Sequence, residues 1–167
     1  TATNAETGDN GWFINDLINI HKQGFKEIYM TDIAAVSEAL WKPQIEKADV
    51  LVFEGGNTYY LMEHVRTSGL DLLLPELLKT KVYVGISAGS MITNPDLATL
   101  ISQAVYEEDF DKPDFVPGLG FVDFYITPHL NSPHFPKLIP ANIKAIATRI
   151  PKKIYGLDDQ SAVSVID

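Results

Sequence analysis

Residues 81–92, KVYVGISAGSMI, carry the pattern that decides the fold. Residues 85–89 fit G-x-S-x-G directly after an apolar run and ahead of a segment predicted to be helical. A strand that turns sharply into a helix holds its corner residue in strained backbone angles, and small neighbours allow the close packing. The pattern therefore predicts a nucleophile elbow that projects the Ser87 hydroxyl above the sheet, with the Ala88 N–H at a helix start where it favours an oxyanion. A serine helix cap between packing glycines is the alternative interpretation.

Outward from this motif, apolar strands alternate with helical segments. Strands are predicted in KEIYMTDI (26–33), ADVLVFEGG (48–56), KVYVGI (81–86), FVDFYIT (121–127) and, as two short strands around a turn, KIYGLDDQSAVSVID (153–167). Helices are predicted over 13–21 with a stop at Gly24, through 36–40, and over 57–68, 70–79 and 139–150. This alternation predicts an α/β fold with a mostly parallel sheet and helices on both faces, as in flavodoxin-like proteins. Residues 93–118, rich in turn formers and acids, are predicted to form an irregular surface excursion.

Composition fits one globular domain over residues 1–167, with 46% hydrophobic and 21% charged residues. The net charge of −9 opposes binding to nucleic acid or to anionic lipid. The absence of cysteine excludes disulfides, thiolate metal sites and a cysteine nucleophile, so covalent catalysis needs a hydroxyl. No apolar run reaches the ~20 residues of a membrane span and no signal-peptide pattern is present, which predicts a cytoplasmic protein. Because the chain begins without methionine and stops in a strand-like run, we expect truncation at both ends.

A second turn of glycines follows another predicted strand, in VLVFEGGNT. Gly55 and Gly56, followed by Asn57, suit a tight turn that exposes backbone N–H groups at the carboxyl edge of the sheet, where ligands bind. We expect Gly55 or Gly56 to supply the second oxyanion N–H and Asn57 to contact substrate. The alternative interpretation is a plain turn with a helix cap.

A serine nucleophile needs a general base, for which histidine is the usual residue. His129 directly follows the strand FYIT and Pro128, which places its imidazole at a strand end, and it is the preferred candidate. His134, in the loop NSPHFP, is the second candidate. His21 and His64 lie in helical patterns where a surface role is the expected one.

The base in turn needs a carboxylate that fixes its tautomer. Asp158 and Asp159 lie at the end of another predicted strand, although paired aspartates in a turn also serve the turn itself. Spacing alone does not choose between this pair and the other acids. The competing residues are Asp96, Asp109, Asp111 and Asp123.

Four motifs together, GISAGS, EGGNT, ITPH and GLDDQSA, resemble the peptidase E family of serine peptidases, which includes α-aspartyl dipeptidases and is related to cyanophycinase. The resemblance implies a fold like that of class I glutamine amidotransferases, with serine in place of cysteine, and hydrolysis of short peptides after an N-terminal aspartate. It matches Ser87 to the nucleophile, His129 to the base and Asp159 to the acid, with Gly55 and Ala88 in the oxyanion region. It also implies an N-terminal strand that is missing before TATNAE.

This chain departs from the family pattern in two places. Glu54 stands where a third glycine is common; it is a candidate for recognising the free amino end of a substrate, and a solvated acid at the strand end is the alternative interpretation. The segment after His129 lacks the arginine suited to an aspartyl side chain, since the chain has only Arg66 and Arg149. Lys137 or Lys144 would supply only a point charge.

The preferred reading is a serine peptidase that acts on small peptides through an acyl-enzyme and needs neither metal nor cofactor. Two alternatives stay open: an α/β-hydrolase type of esterase, and a catalytically inactive amidotransferase-like binding module. The order of residues opposes the esterase, because those enzymes place the acid before the histidine. The sequence does not predict an oligomeric state.

Overall fold

The computed structural model describes residues 8–166 and shows a mixed α/β chain with parallel strands. Its contacts divide the chain into two compact units, Thr1–Gly89 and Ser90–Asp167. The helices are α1 (Gly11–Lys22), α2 (Glu38–Lys47), α3 (Thr58–Thr67), α4 (Leu70–Leu77), α5 (Ala88–Met91), α6 (Thr99–Ile101), which runs into a π-helical turn (Ser102–Tyr106), and α7 (Pro140–Ala147). The strands are β1 (Val50–Phe53), β2 (Val82–Gly85), β3 (Tyr125–Thr127) and β4 (Ile154–Gly156).

The first unit is built on the parallel pair β1 and β2. Val50 lies opposite Val82 and Phe53 opposite Gly85, and the Ile86 N–H extends the ladder by donating to the Phe53 carbonyl at 2.9 Å. The Phe53 ring stacks on Tyr83 with centroids 4.6 Å apart. The predicted strands 48–56 and 81–86 are therefore confirmed in shorter form. Their carboxyl ends lie side by side, which places the two glycine turns at one edge of the sheet.

Helices α3 and α4 supply much of the apolar interior of this unit. Leu61 and Val65, one turn apart on α3, are buried, as are Leu70 and Leu74 on α4. Between the helices Gly69 adopts φ +75°, a left-handed conformation that glycine tolerates well. Burial of these faces confirms the helices predicted over 57–68 and 70–79.

The strand predicted over 26–33 is wrong, because this segment is irregular and pairs with none of the described strands. Ile28, Tyr29 and Met30 in this segment are exposed, Met30 at 66%. Side chains hold the segment instead, since the Lys47 ammonium donates to the Glu27 carboxylate and the Tyr29 hydroxyl, each at 2.7 Å. β-Propensity describes a residue that fits a paired, half-buried surface, and without a partner strand it does not determine the backbone.

The second unit contains the parallel pair β3 and β4. Tyr125 lies opposite Ile154 and Thr127 opposite Gly156. Backbone bonds continue the pairing beyond the strands, from the Leu157 N–H to the Thr127 carbonyl at 3.0 Å and from the Leu130 N–H to the Leu157 carbonyl at 2.8 Å. The strand predicted over 121–127 and the first of the two predicted in 153–167 are thereby confirmed. The core beside them consists of Ala98, Ile101, Val105, Tyr125, Leu138, Ile143 and Ile146.

The prediction that residues 93–118 form a surface excursion is wrong. The segment contains α6 and the π-helical turn, and Ile101 and Val105 are core residues. Asn94 is fully buried, and its side chain acts as a ladder partner by accepting from the Ile126 N–H at 2.9 Å and donating to the Ile126 carbonyl at 3.4 Å. A turn-forming residue such as Asn94 predicts a loop, but here its side chain satisfies buried backbone groups that are distant in sequence.

The second strand predicted near the end of the chain is also wrong. Residues 161–166 have no regular structure, and Ile166 is 90% exposed. The alternation in SAVSVI has no described strand beside it, so its backbone groups have no ladder to join. Among the described helices, none combines the length and apolarity needed to cross a bilayer.

Candidate active site

Ser87 occupies the corner between β2, which ends at Gly85, and α5, which begins at Ala88. Its φ is +50°, in the left-handed region that residues other than glycine rarely adopt. The turn is closed by the Gly89 N–H, which donates to the Ile86 carbonyl at 2.9 Å. Strain of this kind persists where the surroundings hold the residue in place, and it concentrates at functional sites. Ser87 thus lies between a strand and a helix in a left-handed conformation, and its assignment as a nucleophile elbow stays a prediction.

The second glycine of G-x-S-x-G, Gly89, has a steric reason to be there. A Cβ added to Gly89 would lie 1.8 Å from the Phe53 carbonyl oxygen, so no larger residue fits without moving β1 or α5. Because α5 has only four residues, a developing oxyanion would depend on individual N–H groups rather than on a long helix dipole. Ala88, whose N–H is the predicted donor, is buried at 1% exposure.

Gly55 lies beside Ser87, at the end of the neighbouring strand. A Cβ built on Gly55 would approach the Ser87 Cβ to 3.3 Å and the Trp12 ring to 3.2 Å. The structure therefore brings together the two turns that the sequence placed at one sheet edge. Gly56 follows with φ +107°. The oxyanion roles of these glycines stay predictions.

Asn57 acts as the N-cap of α3, with its Oδ1 accepting from the Tyr60 N–H at 2.9 Å. This is the helix cap of the alternative interpretation, and it engages the side-chain oxygen. A contact of Asn57 with substrate would use the amide Nδ2 or the second lone pair of Oδ1. The cap also fixes the point at which α3 leaves the glycine turn.

Glu54 precedes the glycine turn and carries a buried carboxylate. Both of its oxygens are inaccessible to solvent and have no hydrogen-bond partner in the described part of the chain. Burial raises the pKa of Glu54, the negative charge of Asp16 adds to this rise, and the nearby Gly55 N–H acts in the opposite direction. Within residues 8–166, Glu54 is thus a buried acid without a hydrogen-bond partner, one residue away from Gly55.

His129 follows β3 after Pro128 and adopts φ +68°. Its Nδ1 lies 2.8 Å from Oδ1 of Asp159, with the two side chains 27% and 54% exposed. An ionised carboxylate only accepts hydrogen bonds, so in a neutral imidazole this contact requires the proton on Nδ1 and makes Nε2 the acceptor nitrogen. The structure thus brings together the predicted base and one of the two predicted acids.

The neighbouring Asp158 serves the turn. Its Oδ1 accepts from the Gln160 N–H at 3.0 Å and from the Ser161 hydroxyl at 2.7 Å, and these bonds, the Ser161 one foremost, lower the pKa of Asp158. His134 is exposed, and its backbone N–H donates to Ser132 Oγ at 3.4 Å. Neither Asp158 nor His134 takes part in the contact between His129 and Asp159.

Three of the four competing acids are engaged elsewhere. Asp96 accepts from the Tyr125 hydroxyl, Asp109 from the Ser102 hydroxyl, and Asp111 pairs with Lys112 at 3.1 Å. Asp123 is exposed. Within residues 8–166 no three histidine, aspartate or glutamate side chains are grouped so that they could hold a metal ion.

The family model of peptidase family S51 matches residues 1–167, the whole chain. The chain belongs to peptidase family S51.

Individual relatives of this S51 chain are distant. An uncharacterized peptidase of Listeria innocua is 32% identical over 143 residues, which are 81% of this chain and 64% of that protein. Peptidase E of Salmonella gallinarum is 29% identical over 118 residues, 70% of this chain and 45% of that protein. A crystal structure of a candidate peptidase E from Listeria monocytogenes EGD-e superposes with a TM-score of 0.75 at 26% identity, covering 95% of this chain and 75% of the other. The chain spans about 64% of the length of the two Listeria relatives matched in sequence.

Sequence reasoning missed the aromatic surroundings of His129 in this S51 chain. The Phe135 ring stacks on the His129 imidazole, with centroids 5.0 Å apart and planes 25° from parallel. Tyr106 contacts Phe135 edge to face at 5.3 Å. The available signal was the aromatic residue in NSPHFP, six positions after the candidate base. The sequence gives no such signal for Tyr106, because the pattern of residues 93–118 predicts a surface excursion.

Proposed function

We propose that this protein is a serine peptidase that hydrolyses short peptides through an acyl-enzyme. The observation that carries the proposal is the 2.8 Å contact between His129 Nδ1 and Asp159, which leaves Nε2 as a proton acceptor. Membership of peptidase family S51 and similarity to peptidase E proteins support the same chemistry. The strained position of Ser87 supports its assignment as the nucleophile.

In the proposed mechanism His129 Nε2 takes the proton of Ser87 Oγ as that oxygen attacks the scissile carbonyl. Asp159 then stabilises the imidazolium, and the N–H groups of Gly55 and Ala88 hold the oxyanion. The imidazolium gives its proton to the leaving amine, and an acyl-enzyme remains on Ser87. Water, deprotonated by the same imidazole, releases the acid and restores the hydroxyl. The scheme uses neither metal nor cofactor.

As substrates we propose small peptides with a free amino end, beginning with Asp-X dipeptides. The resemblance to aspartyl dipeptidases supports the aspartate. The Glu54 carboxylate beside Gly55 supports the amino end, since it is buried without a hydrogen-bond partner among the described residues and an ammonium group would pair with it. Lys137 already pairs with Glu107 at 2.5 Å, which leaves Lys144 as the lysine proposed for the substrate's acidic side chain.

The proposal also includes the type of α/β fold. We place the chain in the flavodoxin-like arrangement of class I glutamine amidotransferases, with Ser87 at a nucleophile elbow. The proposal also assigns the protein to the cytoplasm. It assigns no nucleic-acid or membrane partner, in line with the net charge of −9.

The test compares hydrolysis of Asp-Leu and Asp-p-nitroanilide with hydrolysis of short-chain aryl esters. Peptide turnover that Ser87→Ala abolishes, without loss of folding by circular dichroism, is the expected result. Turnover of esters alone would favour the esterase, and no turnover of either would favour the inactive binding module. Activity lost in EDTA and restored by zinc would contradict the metal-free scheme. His134→Ala serves as the matched control for His129→Ala.

A further inference from the structure

We propose that Phe135 is a positioning residue for His129: braced by Tyr106, it holds the imidazole in the plane in which Nδ1 meets Asp159. Neither aromatic residue was assigned a role by the sequence. The inference deepens the proposed function and rests on it only in taking His129 as the base.

The need for such a residue follows from the exposure of the His129–Asp159 pair. The aspartate side chain is 54% exposed, so water competes for its oxygens. The torsion that turns an imidazole about its bond to Cβ is broad, and one hydrogen bond does not fix the plane of the ring. A contact on the face of the ring would help to hold Nδ1 on the carboxylate and Nε2 at a constant direction.

The Phe135 ring supplies that contact. It lies nearly parallel to the imidazole, with planes 25° apart and centroids 5.0 Å apart. A ring on one face of the imidazole blocks rotation toward that face, while the Asp159 bond acts at the edge. The Phe135 ring on the face of the imidazole and the Asp159 hydrogen bond at its edge together fix the two side-chain torsions of His129.

Tyr106 holds Phe135 and the backbone of the base at the same time. Its ring meets Phe135 edge to face, with centroids 5.3 Å apart and planes at 79°. Its hydroxyl donates to the Pro128 carbonyl at 2.8 Å, one residue before His129. Burial raises the pKa of Tyr106, so the phenol stays protonated and keeps donating over the working pH range. Tyr106 is the last residue of the π-helical turn, a type of element that is frequent at functional sites.

The loop that joins the two rings is itself closed by backbone bonds. The Ser132 N–H donates to the His129 carbonyl at 3.0 Å, and the Phe135 N–H donates to the Ser132 carbonyl at 3.1 Å. The Asn131 N–H bonds the carbonyl of Leu138, a fully buried core residue, at 2.8 Å. His129 and Phe135 are therefore carried by one short loop that is anchored in the core.

The test uses Phe135→Leu, which keeps an apolar side chain and removes the ring, and Phe135→Tyr, which keeps the ring. Phe124→Leu is the matched control, because Phe124 meets Tyr155 edge to face at 4.8 Å in the same unit. Each variant is examined by long-range ¹⁵N–¹H correlation of the His129 side chain, and by kcat and KM on the peptide substrate. The spectrum needs no activity, so it decides the inference even if the proposed peptidase reaction fails.

We expect the wild type and Phe135→Tyr to show one tautomer, with the proton on Nδ1, and Phe135→Leu to show averaged signals of both tautomers. We expect kcat to fall by about 10–100-fold in Phe135→Leu with KM little changed, because a misplaced base affects the chemical step. Phe124→Leu should keep both the wild-type tautomer and kcat. A single Nδ1-protonated tautomer in folded Phe135→Leu, as in the wild type, would overturn the inference whatever the activity of the variant.

Tyr106→Phe keeps every ring and removes only the bond to Pro128, so it carries the test if Phe135→Leu does not fold. Its His129 signals should broaden or move toward the averaged position. Signals identical to those of the wild type would remove Tyr106 from the proposal.

Discussion

Gly89→Ala is the substitution that most directly tests how the Ser87 corner is built. The added Cβ would lie 1.8 Å from the Phe53 carbonyl oxygen, whereas real Cβ atoms essentially never come closer than 3.0 Å. The difference, 3.0 minus 1.8, means that β1 and α5 must separate by at least 1.2 Å. The same Phe53 oxygen accepts from the Ile86 N–H, so the separation also disturbs the ladder beside Ser87.

The magnitude follows from two opposing terms. Alanine is favoured over glycine in a helix by about 1 kcal/mol, and this term alone would stabilise the variant. Overpacking against a backbone atom costs about 1–3 kcal/mol or more, so we expect a net loss of unfolding free energy of up to about 2 kcal/mol. A shift of about 1 Å in the nucleophile can reduce kcat by ~100-fold.

The assay combines urea denaturation with peptide hydrolysis. Gly69→Ala is the control, because Gly69 has φ +75° but open space around the position of an added Cβ. This control should lose about 1 kcal/mol of stability through backbone strain and keep its kcat. A Gly89→Ala protein as stable and as active as the wild type would refute the steric account of the corner.

Three further predictions concern single side chains. Asp159→Asn should lower kcat by about 10²–10⁴-fold because the imidazole loses its tautomer partner, while Asp158→Asn should keep kcat, as steady-state kinetics will show. Glu54→Gln should raise the free energy of unfolding at pH 8 and leave it unchanged at pH 4 in thermal melts. Burial raises the pKa of Glu54 in the folded state, so the folded state loses stability as the pH rises above the ordinary pKa of 4.5 and Glu54 ionises. Equal effects of the substitution at pH 4 and pH 8 would contradict this. Asn94→Ala should cost about 2–3 kcal/mol in urea denaturation, because the Ile126 N–H and carbonyl are left buried without partners, and a loss below about 0.5 kcal/mol would contradict that role.

Local sequence pattern is sufficient to predict the structure where neighbouring residues determine the backbone. The glycines around Ser87 and the Pro128 before His129 predicted a corner and a strand end, and both are present. Helix α3 and its Asn57 cap also follow from adjacent residues. In these places the structure depends on contacts within a few residues of chain.

Contacts between distant residues were not predictable in the same way. Asn94 reads as a turn former, although it completes the ladder of Ile126, 32 residues away. The choice between Asp158 and Asp159 depends on which one binds the turn, and local pattern does not make it; only the family resemblance favours Asp159. Strand propensity in 26–33 also misled, because pairing depends on a partner that the segment itself does not specify.

The central claim is that Ser87 is an activated nucleophile, and the most direct measurement is covalent labelling with a fluorophosphonate, followed by intact and peptide mass spectrometry. The account predicts one adduct per chain, located on Ser87, formed more slowly in His129→Ala and absent in Ser87→Ala. An unlabelled protein, or an adduct on a different residue, would contradict the account.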